Sequence, residues 1–239
     1  GGEDIFALEF NSGNPDLPVH NVKVRKAICM AIDRQEIEDK VFFGYTKAGK
    51  SIFTEDIGWA FNPDAKECDF DPAGAEKLLD QAGYPRKADG IRFRTKIEFG
   101  NYFGAQNQGI AEVLAQQLSK VGIDTQYTLY EWLVWYEKVK LSHDFEMSIF
   151  LDYAGPDPDV IRRMVHSESL DDNGGQYSNA RVDELLDLAR RASDRAERAR
   201  YYYEIQEILA NDLPYLGLID QDWWYAVRAD YHDLWFDPG

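Results

Sequence analysis

The feature that most constrains the fold of this chain is a hydrophobic period that changes repeatedly along it. Residues Ile91 to Phe99 alternate apolar and polar side chains, the period of two that is typical of a half-buried strand. Residues 110–121 then place apolar side chains three and four apart, as on one face of a helix, and Gly122 ends the run. Strand-like chemistry returns from Ile123 to Tyr130. Strands that alternate with helices of about 10 to 15 residues predict an α/β fold, a mostly parallel or mixed sheet covered by helices.

Similar patterns place elements before this region. Residues Ile5 to Phe10 are rich in apolar side chains and precede a loop with glycine and proline, which predicts a strand. Apolar residues from Val22 to Ala31 recur at helical spacing. Asp33 with Glu36 resembles a capping box and predicts a second helix toward position 43.

Turn and cap residues mark the remaining elements. Asp71 followed by Pro72 predicts a helix start, because the carboxylate accepts free amide hydrogens and proline fits the first turn. Asp194 with Glu197 predicts another start, and Pro214 ends that helix. No repeat or low-complexity linker interrupts the chain, so one compact unit is predicted. The other predicted elements are helices over 131–141 and 182–189 and strands over 145–153, 215–219 and 223–227.

Charge and composition exclude several kinds of partner. The 26 basic and 43 acidic residues give a net charge of −17, so the surface field repels nucleic acid and anionic membranes. No apolar run approaches the roughly 20 residues of a membrane helix, and the first residues lack the pattern of a signal peptide. Cys29 lies in an apolar helical pattern and Cys68 in a polar loop, which leaves a single disulfide open.

Sequence motifs of common enzymes and metal sites are not found. The chain has no GxSxG, GxxxxGK[ST] or GxGxxG motif in the required context, and its histidines lie apart from one another and from the cysteines. We therefore predict no cofactor and no metal. A hydrolase or transferase acting through scattered carboxylates, and a domain that docks on another protein, remain as alternatives. The four histidines are His20, His143, His166 and His232.

Two segments at predicted strand ends carry candidate binding residues. Residues 131–136 (EWLVWY) contain three large aromatic side chains, which either stack on a ligand or fill the core. Residues 151–159 (LDYAGPDPD) run from a strand into a turn dense with carboxylates. Asp152 or Asp157 would pair there with a ligand ammonium, or would only cap and solvate the turn.

Four segments, in order, resemble one protein family. Residues 21–37 (NVKVRKAICMAIDRQEI) resemble the segment N-V-x-V-R-x-A-I-x-x-A-I-D-R-x-x-I, and residues 71–84 (DPAGAEKLLDQAGY) resemble the helix D-P-x-x-A-x-x-L-L-x-x-A-G-Y. Residues 111–123 (AEVLAQQLSKVGI) are similar to a helix that ends in Gly-Ile before a strand, and the run from Tyr177 to Pro214 is similar to the closing helices. These are segments of the family 5 extracellular solute-binding proteins, the oligopeptide, dipeptide and nickel type that serves ABC transporters.

The resemblance implies a fold, a domain organisation and a function. Residues 1–239 would form a single periplasmic-binding-protein-like lobe, the C-terminal half of a two-lobe clamp, with the N-terminal lobe and a signal peptide outside this sequence. The protein would capture an oligopeptide or a similar small solute for a membrane permease, and would not be an enzyme. It would work in the periplasm or outside the cell, touching the membrane only through the permease or a lipid anchor. Peptides, nickel chelates and sugars all remain open as solutes.

The resemblance also implies binding residues. Family members place a pocket-facing tryptophan at the position of Trp132, and two further side chains share its helix face. An aspartate near the end of the following strand pairs with the amino group of a peptide ligand. An ungapped alignment puts Leu151 at a pocket tryptophan and Ala154 at that aspartate, whereas one gap supplies Asp152. The binding residues expected in this way are Trp132, Tyr136, Lys140, Asp152, Tyr153 and Asp157.

Overall fold

A six-stranded mixed sheet lies at the centre of the computed structural model, which describes residues 4–153, 155, 157–169, 172–221 and 228. Its order in space is β2-β6-β1-β5-β3-β4. β3 runs parallel to β4 and β5, whereas β1 is antiparallel to β5 and β6, and β2 is antiparallel to β6. The mixed sheet predicted from the sequence is confirmed. The strands are β1 (Asp4–Phe10), β2 (Lys47–Ala48), β3 (Phe93–Gly100), β4 (Ile123–Tyr130), β5 (Met147–Tyr153) and β6 (Tyr215–Gln221).

Helices connect and cover these strands, and three of them start at the predicted caps. Asp33, Asp71 and Asp194 each accept a hydrogen bond from a backbone N–H in the first turn of the helix that follows. The helix predicted after Asp33 differs in one respect, because its α-helical part stops at Ile37 and a π-helical turn continues it to Phe42. The α-helices are α1 (Val22–Ala31), α2 (Arg34–Ile37), α3 (Pro72–Gln81), α4 (Gly104–Lys120), α5 (Trp132–Tyr136), α6 (Arg162–Val165), α7 (Ala180–Arg191) and α8 (Arg195–Asp212).

Shorter helical turns complete the described elements. A π-helical turn, Glu137–Leu141, continues α5, so the helix predicted over 131–141 is confirmed in two parts. The 3-10 turns are Pro18–His20, Glu55–Ala60, Asn101–Phe103 and Pro158–Ile161. The strand predicted over 223–227 lies outside the described residues.

The sheet separates two hydrophobic cores. Along β1, Phe6, Leu8 and Phe10 enter one core, which also takes buried side chains of α1, α3 and α4. Ala7, between them, enters the other core with buried side chains of α5, α7 and α8. Successive strand residues point to opposite faces, so one strand contributes to both cores. Each fully buried large apolar side chain contributes about 1.5 to 3 kcal/mol, so these cores hold the sheet and helices together.

A disulfide joins Cys29 in α1 to Cys68 in the loop before α3, with 6.2 Å between the Cα atoms. The sequence left this bond open. Beside it, the buried carboxylate of Glu67 pairs with Arg34 at 2.7 Å and accepts a hydrogen bond from the Gly217 N–H of β6. The disulfide and the ion pair together fix the loop to α1 and to the sheet.

The three mutually parallel strands end at one edge of the sheet. Their last residues are Gly100, Tyr130 and Tyr153. Ligand groups in α/β folds characteristically lie at this carboxyl edge, where loops diverge from the strands. In the described part of the chain, no helix is long and apolar enough to cross a membrane.

Candidate ligand-binding site

A cavity of about 210 Å³ opens at the carboxyl ends of β3 and β5, and we call it the aromatic cleft. It brings together Trp132, Tyr136, Lys140 and Asp152, four of the six residues expected to bind the ligand. The structure therefore brings these four residues together beside one cavity, and their contact with a ligand stays a prediction. The cleft is lined by Gly100, Tyr102, Asn107, Trp132, Trp135, Tyr136, Lys140, Ile149, Phe150, Leu151, Asp152, Arg163 and Asp172.

One wall of the cleft is a stack of aromatic rings. Trp132 stacks on Trp135 with 4.8 Å between ring centroids, and the rings of Tyr102 and Tyr136 lie 5.4 and 6.1 Å from that of Trp132. Gly100 permits this packing, because a Cβ atom at this position would stand 3.1 Å from the Trp132 ring. Offset and tilted rings at these separations attract one another beyond their burial, which makes the wall stiff.

Trp135 serves as the fixed base of this wall. Its side chain is buried, and its indole N–H donates to Ser148 Oγ at 2.9 Å. Ser148 in turn donates to the Glu98 carbonyl at 2.8 Å. Trp132, in contrast, is 38% exposed, so its ring has one packed face and one accessible part. Of the three aromatic residues in this segment, Trp135 fills the core and Trp132 is available to a ligand.

Asn107 contributes an unmet hydrogen-bond acceptor. This side chain of α4 is 2% exposed and donates through Nδ2 to the Gly100 carbonyl at 3.3 Å. Its Oδ1 is buried without a hydrogen-bond partner. Since buried polar atoms are normally paired, an N–H group of a ligand in the cleft would satisfy this oxygen.

A buried ion pair forms the floor. Lys140 Nζ lies 2.8 Å from Glu9 Oε2 and also donates to the Asp172 carbonyl at 2.9 Å. The other oxygen of Glu9 accepts hydrogen bonds from the Gly175 N–H at 2.8 Å and the Tyr215 hydroxyl at 3.0 Å. Burial and the neighbouring Glu9 carboxylate raise the pKa of Tyr215 well above its usual range, so its hydroxyl keeps the proton that it donates. Lys140 lines the cleft with its charge already compensated.

A second ion-pair group borders the cleft beside β5. The carboxylate of Asp152 pairs with Arg163, whose Nη1 also donates to Asp172 at 2.9 Å. Burial alone would lower the pKa of Arg163, but the two carboxylates outweigh it, so the net shift is upward. Asp152 therefore faces the cleft as the partner of a guanidinium, an arrangement that the sequence did not predict.

The two other expected residues are Tyr153 and Asp157. Tyr153 ends β5 opposite Asp4, and its side chain lies outside what the structure describes. Asp157 caps the 3-10 turn that follows, accepting from the Asp159 N–H at 2.9 Å, and pairs with Arg198 at 2.7 Å. Hydrogen bonds from Arg198 are the main cause that holds the pKa of Asp157 below its usual range.

Asp157 lines a separate, larger cavity of about 660 Å³, which we call the arginine cleft. Arg163 is shared by the two clefts. We regard the smaller cleft as the candidate site because the strand ends and the expected residues converge there. The arginine cleft is lined by Gly155, Asp157, Asp159, Val160, Arg162, Arg163, His166, Glu168, Ser169, Arg190 and Arg198.

Sequence reasoning missed Tyr102, Asn107, Arg163 and Asp172. Tyr102 follows directly after β3, so the rule that ligands lie at strand ends would have found it. Asn107, Arg163 and Asp172 carry no local signal, because their positions depend on how α4, α6 and the loop after α6 pack against the sheet. In the described part of the chain, no group of three or more histidine, cysteine or carboxylate side chains is arranged to hold a metal ion.

Comparisons with known proteins identify relatives of this chain. Heme-binding protein A of Haemophilus influenzae is 28% identical over 221 residues, 90% of this chain and 39% of that protein. Di/tripeptide-binding protein 1 of Pseudomonas aeruginosa is 24% identical over 92% of this chain and 41% of its own length. The chain thus spans about two fifths of the length of these relatives.

Solved structures show the same fold. The ABC transporter-associated periplasmic binding protein DppA of Helicobacter pylori, in complex with the peptide STSA, superposes with a TM-score of 0.81. It is 29% identical and is matched over 91% of this chain and 41% of its own. The sequence model for bacterial extracellular solute-binding proteins, family 5 (middle), matches residues 2–170, which is more than half of this chain. The chain therefore belongs to the family 5 bacterial extracellular solute-binding proteins.

Proposed function

We propose that this chain is the C-terminal lobe of a solute-binding protein of an ABC importer and that it captures an oligopeptide or a similar small solute. The observation that carries the proposal is the aromatic cleft, which lies at the carboxyl edge of the sheet in a chain of this family. Relatives named as di/tripeptide-, glutathione- and heme-binding proteins support a small organic solute.

Exposed apolar side chains around the cleft support the proposal that an opposite lobe covers it. Tyr102 is 69% exposed, Leu133 70% and Val134 51%, and all three lie beside Trp132 in sequence or in space. Contiguous apolar surface of this kind marks a ligand or protein contact. In a two-lobe clamp, the solute and the opposite lobe would cover it when the lobes close. Closure would follow from the preference of the solute for the closed state.

The chemistry of the cleft favours a solute that combines a flat or apolar group with hydrogen-bond donors. Trp132 offers a stacking face, and Asn107 Oδ1 accepts from an N–H group such as that of a peptide. Lys140 and Asp152 are each ion-paired within the chain. A peptide ammonium would therefore share Asp152 with Arg163, and would not meet an isolated carboxylate there.

The role of this lobe would be capture and delivery without any change to a covalent bond. We propose a location in the periplasm or outside the cell, with permease subunits as the partners that receive the solute. The name of one relative, the probable ABC transporter periplasmic-binding protein SapA of Escherichia coli, supports this location.

Native mass spectrometry of the parent protein, purified without refolding, tests the proposal directly. We expect a co-purified solute of defined mass, and its fragmentation identifies the chemical class. Covalent turnover of that solute by the purified protein would contradict the proposal and support a hydrolase or transferase.

A substitution in the aromatic wall tests the site. Trp132→Ala in the parent should weaken binding of the identified solute about tenfold, close to 1.4 kcal/mol, because it removes the accessible stacking face. Tyr203→Ala is the matched control, since this aromatic side chain of α8 is 37% exposed, nearly as much as Trp132, and does not line the cleft. Isothermal titration calorimetry gives both affinities, and equal affinities in the two variants would remove Trp132 from the site.

A further inference from the structure

The arginine cleft carries features of a binding site that the proposed function does not use. Four guanidinium groups from α6, α7 and α8 line it, together with three carboxylates, in a chain with a net charge of −17. Its volume of about 660 Å³ falls within the range of cavities that hold small molecules. These cations either only neutralise their neighbours or also leave hydrogen-bond donors for a ligand.

Arg162 leaves one donor unused. Its Nη2 donates to Asp187 Oδ1 at 2.8 Å, whereas its Nη1 is buried and has no hydrogen-bond partner. A buried guanidinium N–H without an acceptor is uncommon, because such groups are nearly always paired.

His166 leaves a second donor. Its side chain is 5% exposed, and its Nδ1 accepts a hydrogen bond from the Glu168 N–H at 3.1 Å. The proton of the neutral ring is therefore on Nε2, which is buried and has no hydrogen-bond partner. Carboxylate oxygens of Asp183 and Asp187 stand 3.9 Å from the ring nitrogens, beyond hydrogen-bond distance.

Arg190 adds accessible donors to the same cleft. Its side chain is 56% exposed, and it donates to Asp159 through Nε at 2.8 Å. Neither of its two terminal nitrogens donates a hydrogen bond to a described residue. Arg198, by comparison, is held by both oxygens of Asp157 at 2.7 and 2.9 Å and acts as a fixed wall.

We propose that the arginine cleft is a second binding site, for an oxyanion such as a phosphate or a carboxylate group. The charged oxygens of an oxyanion accept hydrogen bonds, and the cleft has unmet donors on Arg162, His166 and Arg190. The anion would be free phosphate or the carboxylate of a solute that reaches past Arg163 from the aromatic cleft. The site goes beyond the proposed function, since it does not depend on solute transport.

Titration of the 239-residue chain with sodium phosphate at pH 8 tests the proposal, with sodium chloride at matched ionic strength as the reference. The readout is the ¹H–¹⁵N signal of the His166 ring, assigned with His166→Asn. We expect a saturable shift with phosphate. Arg162→Gln and Arg190→Gln should each weaken phosphate binding about tenfold, as loss of a charge-assisted hydrogen bond does. Arg181→Gln, which removes the same charge from an exposed site on α7, should leave it within about twofold.

A His166 signal that shifts linearly with phosphate, by as much as it shifts with chloride, would overturn the proposal. Equal weakening of phosphate binding in Arg190→Gln and Arg181→Gln would also overturn it. Arg190 is exposed, so its variant decides the test even where Arg162→Gln fails to fold. The tripeptide Ala-Phe-Glu is then added as a competitor of phosphate. If it competes, and if this competition is lost in Trp132→Ala, the oxyanion belongs to a solute that spans both clefts. Saturable phosphate binding without such competition assigns it to a free anion. The affinity of the aromatic cleft for its solute is measured separately, so the two proposals fail independently.

Discussion

Replacement of Lys140 by methionine removes one half of the buried ion pair beneath the aromatic cleft. The Glu9 carboxylate is fully buried and would lose its partner at 2.8 Å. Hydrogen bonds from Gly175 and Tyr215 would remain, so the charge is not left without any donor. Breaking a buried pair from one side costs about 3 to 5 kcal/mol, and the remaining donors place this case near 3 kcal/mol.

Urea unfolding followed by circular dichroism measures this loss as a lower midpoint at an unchanged slope. Lys50→Met is the matched control, because Lys50 forms an equally short pair with Glu55 at 2.8 Å but both side chains are more than 60% exposed. It should change stability by less than about 0.5 kcal/mol. The double variant Glu9→Gln/Lys140→Met should recover at least half of the loss, since the glutamine keeps a hydrogen-bonding oxygen without the charge. A loss in Lys140→Met as small as that in Lys50→Met, or no recovery in the double variant, would refute the assignment of a strong buried pair.

Two further predictions concern stability. The Cys29–Cys68 disulfide closes a loop with a sequence separation of 39, so its reduction should lower the unfolding free energy by about 4 kcal/mol. Urea unfolding with and without reductant measures this loss, and the variant with both cysteines replaced by serine is the control. No effect of the reductant on the native protein, with an equally stable serine variant, would contradict this. Burial raises the pKa of Asp220 to about 7 from the ordinary aspartate value of 3.8. The folded state thus holds this proton to higher pH than the unfolded chain does, so its stabilising contribution is present at low pH and is lost as the pH rises through about 7. Asp220→Asn should flatten the fall in stability between about pH 4 and pH 7, though only in part, because burial also raises the pKa of Glu67 to about 7. An unchanged pH profile would show that Asp220 does not titrate in this range.

Much of the fold was predictable because its signals are local. The alternation over 91–99 and the helical spacing over 110–121 match β3 and α4. Asp71 and Asp194 each accept a hydrogen bond from the first turn of the following helix, as predicted. Hydrophobic period and cap chemistry act within a few residues, so they can be recognised from the sequence alone. The proximity of Trp132 and Tyr136 was predictable for the same reason, because the two residues are four apart on one short helix.

The site was only partly predictable because its charges are paired over long distances in sequence. Lys140 was expected to face a ligand, and its partner Glu9 lies 131 residues away on β1. Asp152 was expected as a ligand anchor, and its partner Arg163 lies beyond a turn whose course no local rule fixes. Neither pairing could be inferred, since each depends on which strands are neighbours in the sheet.

The sequence by itself determined the order of strands and helices, their caps and the family to which the chain belongs, because these follow from periods and motifs within single segments. Only the tertiary structure decided that β1 lies between β5 and β6 and that Cys29 bonds to Cys68. It also decided that Lys140 and Asp152 meet the aromatic cleft with their charges already paired. The physical reason is that burial in a folded core makes an unpaired charge costly, so the fold selects partners that sequence proximity does not indicate.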